Sequence, residues 1–301
     1  MAKIKSTPYV SVIIPVFNDA ERLKICLEAL EDQSYPKNLY EIIVIDNGSD
    51  QSIEQLVSQY KQSFSSYEST PGSYNARNKG ISLAKGEILA FTDADCIPKF
   101  NWLETGVENL LSSPNYGLIA GKINIFFQKP DCPTVSELYD SITFLNQEKY
   151  IREFKFGATA NLFTFKDIFQ KVGLFDGKLK SCGDKEWGNR VAAYGYSLHY
   201  ADHCCVSHPA RSSLKSLYKK IVRVETGNFN FCKDKNIVEN KQFLHSLLSL
   251  NGLRPPLIST IRQVVNNKSL KTKKQKIEIF WISLFVYYVR YFQIKKLKLK
   301  S

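Results

Sequence analysis

No glycine-rich phosphate loop follows the first strand-like segment of this sequence: neither G-x-G-x-x-G nor G-x-x-x-x-G-K-[ST] is there. That argues against a dinucleotide dehydrogenase and a P-loop nucleotidase. The seven cysteines form no C-x-x-C pair and are odd in number, which argues against structural zinc and a disulfide scaffold and points to a reducing compartment. Met1 to Pro8 is polar and short, so no signal peptide is expected. The apolar run Ile277 to Phe292, interrupted by Glu278 and Arg290, would make a helix of about 24 Å, short of a hydrocarbon core of roughly 30 Å. Acids are scarce in the last third. Residues 211–301 carry 20 Lys and Arg against 4 Asp and Glu, whereas residues 1–210 carry 21 against 25. The net +12 therefore belongs to the C-terminal region, whose usual partner would be anionic lipid or nucleic acid, or which is a solvated helical tail.

What is present is ample for a core: 301 residues, 44% of them hydrophobic, enough for one large or two fused globular units. Val10 to Pro15 reads as a buried strand, followed by Asn18 as an N-cap with Glu21 as its reciprocal partner and by Leu23, Leu27 and Leu30 at helical spacing. Glu41 to Asp46 reads as a second strand. Helices are expected over Ile53 to Gln62 and Ser73 to Lys85, then a strand over Glu87 to Thr92. This alternation predicts an α/β fold with a mainly parallel, helix-covered sheet, whose ligands bind at the carboxyl ends of the strands. Beyond Cys96 the spacing predicts a helix over Trp102 to Leu111, strands over Gly117 to Phe127, and helix or loop covering the site over Cys132 to Phe154. Further helices are expected at Lys166 to Val172 and Asp184 to Tyr194, a strand over Tyr196 to Val206, and a basic helical region from Ser212.

The chemistry concentrates in Phe91-Thr92-Asp93-Ala94-Asp95-Cys96. Residues two apart on an extended chain point the same way, so two carboxylates at a strand's end can face one hard cation together. With Ser11 to Asn18, Val44 to Ser49, Gly72 to Gly80, Ala84 to Ile88 and Gly183 to Arg190 in order along residues 9–210, the chain resembles glycosyltransferase family 2. The resemblance implies the GT-A fold, with a nucleotide-binding half over about 9–96 and an acceptor half over 97–210, followed by the basic helical region 211–301. It implies inverting transfer of a sugar from a nucleotide-sugar, a UDP-sugar first, to a glycan or lipid-linked acceptor. The setting expected is surface polysaccharide or glycolipid assembly.

Chemistry and resemblance together assign roles. Neutralising a departing diphosphate calls for a divalent cation, Mn²⁺ or Mg²⁺. Asp95 is the first choice for direct metal contact, with Asp93 on the ribose or the metal's water shell. His208 resembles a histidine that some relatives use as a further metal ligand. The resemblance places Pro15, Phe17 and Asn18 on the donor side and makes Asp46 an acceptor for the donor's base, although an Asp there also suits an Asx-turn. Arg77 near a helix start suits phosphate or base, or a core-edge ion pair. Asp184 is the candidate base with Glu186 as its substitute, in a motif where Gly183 replaces a family acid; an N-cap role for Asp184 stays open. Asn47 likewise stands where the family usually has a second acid. Asn161 and Arg190 fall on the acceptor side, as does Trp187, for which apolar packing is favoured over stacking on a sugar. The tail run Ile277 to Phe292, flanked by lysines, reads as an in-plane membrane anchor, or else a helix packed on the domain or a dimer contact. A cytoplasmic protein peripheral on the inner face of the membrane is expected, with no nucleic-acid partner. A nucleotide-sugar-binding protein without turnover, or a nucleic-acid binder through the tail, are the competing readings.

Overall fold

The computed structural model describes residues 7–235 and 255–300. Eight strands form one sheet: β1 (Val10–Val16), β2 (Tyr40–Asp46), β3 (Ser63–Tyr67), β4 (Ile88–Thr92), β5 (Ile97–Pro98), β6 (Tyr116–Phe126), β7 (Asn161–Phe165) and β8 (Ser197–Pro209). Their order is β3-β2-β1-β4-β7-β6-β8-β5. The first four are mutually parallel, and β7 pairs antiparallel with both β4 and β6. The arrangement is that of a GT-A fold.

The unbroken apolar runs follow from burial on both faces of the sheet. Successive residues alternate between two cores. Val12 and Ile14 of β1, Ile42 and Val44 of β2 and Ala90 of β4 share one with α1 (Ala20–Glu31), α2 (Ile53–Val57) and α4 (Trp102–Leu111). Ile13, Ile43, Leu89 and Phe91 face the other, with α3 (Ser73–Leu83), α7 (Lys166–Val172) and α8 (Gly183–Ala193). Gly80 lets α3 lie on β1, because a Cβ there would stand 2.5 Å from Ile13 Cγ2.

Three local expectations are corrected. Asn18 is not an N-cap. Its φ is 52°, the helix begins after Asp19, and its side chain reaches Asp50. The helix expected to Gln62 stops at Val57, and β3 follows, a strand whose Ser63-Phe64-Ser65-Ser66-Tyr67 lacks the apolar run of its neighbours. The segment expected to cover the site contains two helices, α5 (Val135–Thr143) and α6 (Gln147–Phe154), and the first of them packs with the C-terminal helices.

The chain divides into two compact units, one through Asn124 and over Leu145–His208, the other of Ile125–Phe144 and the residues from Pro209 on. In the second, α5, α9 (Leu214–Lys235), α10 (Leu257–Asn266) and α11 (Lys273–Lys300) enclose Leu138, Leu217, Ile221, Val264, Ile279, Ile282 and Val286. Thr134 and Glu137 cap α5 reciprocally. Fully buried Asp140 accepts from Lys220 Nζ at 2.7 Å and from the Arg211 N–H at 3.1 Å, and Lys220 lies 4.1 Å from the Phe144 ring centre.

Candidate active site

Parallel pairing brings the carboxyl ends of β1, β2 and β4 to one edge, with Val16 beside Asp46. The three loops that leave these ends carry the residues expected on the donor side. Phe17 is exposed and Pro15 half-buried. Asn18 donates to and accepts from Asp50, and its N–H donates to Ser49 Oγ at 2.9 Å, which ties the first loop to the second. Asp46 Oδ1 accepts from the Ser49 N–H at 3.0 Å, three residues on, which fixes the loop over Asn47 and Gly48. Asn47 donates to the Glu68 and Thr70 carbonyls and accepts from the Gly72 N–H at 2.7 Å. An ionised Asp could not donate, which gives a reason for the amide at this position. Gly72, at φ 133°, then opens α3.

The chain turns sharply after β4, with the Cys96 N–H on the Asp93 carbonyl at 3.0 Å. Antiparallel β5 and β8 place Ile97 beside Ser207. That register delivers His208 to the acidic pair from more than a hundred residues away. One ligand atom from each of Asp93, Asp95 and His208 lies within 4.8 Å of the others. His208 Nε2 is 3.6 Å from Asp95 Oδ1. Two carboxylates and an imidazole form a donor set suited to Mn²⁺ or Mg²⁺, the imidazole leaning toward the former.

Two arginines approach the same carboxylates. Arg77 on α3 is buried and reaches Asp93 Oδ1 at 2.5 Å, while its Nε has no hydrogen-bond partner among the described residues. Arg22 on α1, not singled out by the sequence reading, lies 2.8 Å from Asp19 and 3.7 Å from Asp95. These guanidiniums bring positive charge to the acidic pair.

Asp184, in the first turn of α8, belongs to the same cluster. Burial pushes its carboxyl above the ordinary range. The Arg77 charge, the Lys185 N–H at 2.9 Å and the Tyr74 hydroxyl at 3.2 Å oppose this, and Asp93 adds to it. Both hydrogen bonds reach Oδ1. Tyr74 is a site residue the sequence reading missed. A Cβ on Gly183 would meet its ring at 2.7 Å, so Tyr74 fills the room where the family carries an acid. No pattern within either motif joins these two positions; only the packing of α3 against α8 does.

Four expected site residues are turned into the structure instead. Asn161 is fully buried, accepts from Trp102 Nε1 at 2.9 Å and donates to the Lys122 and Cys204 carbonyls. Its polar atoms hold strands and helix together and are inaccessible to an acceptor. Trp187 is also fully buried, stacked on Phe169 with its Nε1 on the Gly173 carbonyl. Arg190 forks onto Glu186 and caps the carbonyls of Val172 and Leu174. That pairing ties Glu186 to the α7–α8 connection.

Residues 11–173 match the model of glycosyl transferase family 2. The chain is 38% identical over 253 residues to Glycosyltransferase AglE of Haloferax volcanii, a match covering 82% of each. It is 25% identical over 227 residues, 71% of each chain, to a dolichyl N-acetyl-alpha-D-glucosaminyl phosphate 3-beta-D-2,3-diacetamido-2,3-dideoxy-beta-D-glucuronosyltransferase of Methanococcus voltae. In fold it is similar to a mannosyltransferase from Pyrobaculum calidifontis in complex with GDP-Man and Mn²⁺. That TM-score is 0.65 at 17% identity, covering 96% of this chain and 88% of the other. With the family's match spanning more than half of the sequence, the chain belongs to glycosyl transferase family 2 and is a glycosyltransferase of the GT-A fold.

Proposed function

We propose that this glycosyltransferase moves a sugar, with inversion, from a nucleoside-diphosphate sugar to a glycan or lipid-linked acceptor at a membrane surface. The observation that carries the reading is the cluster of Asp93, Asp95 and His208 with Arg77 and Asp184 around it. Asp95, His208 and Asp93 would hold a divalent cation, which when bound offsets the charge of the diphosphate as the glycosidic bond breaks. Arg77 and Arg22 orient the donor's phosphates. Asp46, with Pro15 and Phe17 beside it, meets the nucleoside. Asp184 takes the proton of the acceptor hydroxyl; its Oδ1 is held by the Tyr74 hydroxyl and the Lys185 N–H. The Methanococcus relative's name gives it a dolichyl phosphate-linked sugar, which supports a lipid-linked acceptor here. The donor's nucleoside is uridine or guanosine; the structurally similar Pyrobaculum mannosyltransferase is in complex with GDP-Man.

Titration calorimetry with UDP and GDP, each with and without Mn²⁺, tests the reading. Wild type should bind one of them in a metal-dependent way, and Asp95→Ala should lose that dependence while melting as a folded protein. Unchanged affinity in the variant would overturn the metal assignment.

A further inference from the structure

The second compact unit contains a helix that is apolar on two sides. Along α11, Ile279, Ile282 and Val286 are buried against α5, α9 and α10, and Ile294 is buried further along. Away from them, Trp281, Phe285 and Phe292 are 64%, 42% and 58% exposed. With half-buried Tyr288 they recur at i, i+4, i+7 and i+11, a single stripe along the helix. On α10, Ile258, Ile261 and Val265 are exposed at i, i+3 and i+7. The first stripe lies between basic ends: Lys273 and Lys274 before it, Lys295, Lys296 and Lys298 after it, all exposed. Glu278 is the one acid in α11 and pairs with Lys274 at 3.8 Å.

We propose that the outward stripe of α11, together with the exposed apolar side chains of α10, is a docking surface for an anionic lipid bilayer. It rests on the membrane-surface part of the function proposed above and names the face that makes the contact. Three observations select this occupant. The rings are Trp, Phe and Tyr, which sit well at headgroup level. The flanking charge is of one sign, which complements anionic lipid and repels a second copy of the same face. No helix among the described residues is long and apolar enough to cross a membrane, so α11 would lie in the plane of the interface.

The chain's three tryptophans give a clean readout. Trp102 and Trp187 are fully buried, so a change of emission on adding vesicles reports Trp281. With phosphatidylcholine vesicles containing phosphatidylglycerol, the full chain should float, its emission should shift to the blue, and brominated acyl chains should quench it. Pure phosphatidylcholine should give little of this. High salt should weaken binding without abolishing it, since inserted aromatic area is not screened. The triple variant Trp281→Ser, Phe285→Ser, Phe292→Ser should keep the wild-type melting temperature and lose about tenfold or more in partitioning. Lys295→Glu with Lys296→Glu should erase the preference for anionic lipid. Flotation of the triple variant equal to wild type overturns the proposal. So does a chain that ignores vesicles but sediments as a dimer dissociated by the same substitutions. Nucleotide binding and donor turnover, measured in solution on the same preparations, keep the two readings apart: their absence with vesicle binding intact would sink the catalytic reading alone.

Discussion

Asp184 sits in a setting that favours its protonated form, and two consequences follow with opposite signs. As the proposed base it must be ionised, so the acid limb of the pH–rate profile should lie above that of an ordinary carboxylate. Asp184→Asn should slow turnover by roughly 100-fold or more while donor affinity holds. A carboxyl whose folded pKa exceeds its unfolded one costs nothing below the ordinary value of 3.8 and becomes a penalty as pH rises through the folded value. The same variant should therefore melt higher than wild type at pH 7, with the gain vanishing near pH 4. Tyr74→Phe removes a hydrogen bond that favours the ionised form, so its acid limb should move further up. A limb that stays put in Tyr74→Phe would mean that the hydroxyl serves packing alone.

Among the elements, α3 and β8 matter most to the site. α3 carries both Tyr74 and Arg77, and its height above β1 is set by Gly80 against Ile13. Gly80→Ala should cost about 1–3 kcal/mol through overpacking, read by denaturant melts, and should weaken nucleotide binding as Arg77 is displaced. β8 brings His208 to Asp95 through its pairing with β5, and carries Cys204, whose carbonyl receives the Asn161 amide. Asn161→Ala strands the Trp102 Nε1–H and two carbonyls in the core. A loss of about 2–4 kcal/mol of stability is expected, from unsatisfied buried groups at about 1–3 kcal/mol each with partial relaxation. An acceptor-contact role would instead raise the acceptor KM in a protein of normal stability.

At the scale of the whole molecule, the charge divides much as the chain does: the acidic pair and its neighbours belong to one unit, the lysine-rich helices to the other. α11 is integral to the second unit, because Ile279, Ile282, Val286, Tyr291 and Ile294 are buried along it. Deleting residues 271–301 should therefore leave Leu217 and Ile221 uncovered, and the shortened chain should aggregate or lose amide protection in α9. The anchor reading is for this reason better tested by substitutions on the outward stripe than by truncation. Asp140 and Lys220 join α5 to α9 in the same unit. Burial lowers the Lys220 pKa while Asp140 opposes the shift, so the pair survives by mutual neutralisation. Asp140→Ala should cost about 3–5 kcal/mol, since it leaves a buried ammonium unpaired. Calorimetric melting would reveal it, and a neutral result would mean that Lys220 escapes to solvent.

The parallel core and the acidic pair were legible in the sequence because their signals are local: apolar runs buried on both faces, and two carboxylates two residues apart. The helices over Trp102–Leu111 and Lys166–Val172 were read on the same grounds. Strand β3 was not, since a strand of serines with one outward phenylalanine has no period to detect. Nor could motif order tell that Asn161 is buried and that Arg190 is tied to Glu186 and to the carbonyls of Val172 and Leu174; a polar residue near a motif looks the same whether it meets ligand or its own chain. The meeting of His208 with Asp95, of Tyr74 with Gly183, and of Asn47 with the start of α3 was decided by tertiary structure alone. Each joins residues whose spacing in the chain is arbitrary, and only strand register and helix packing bring them within reach.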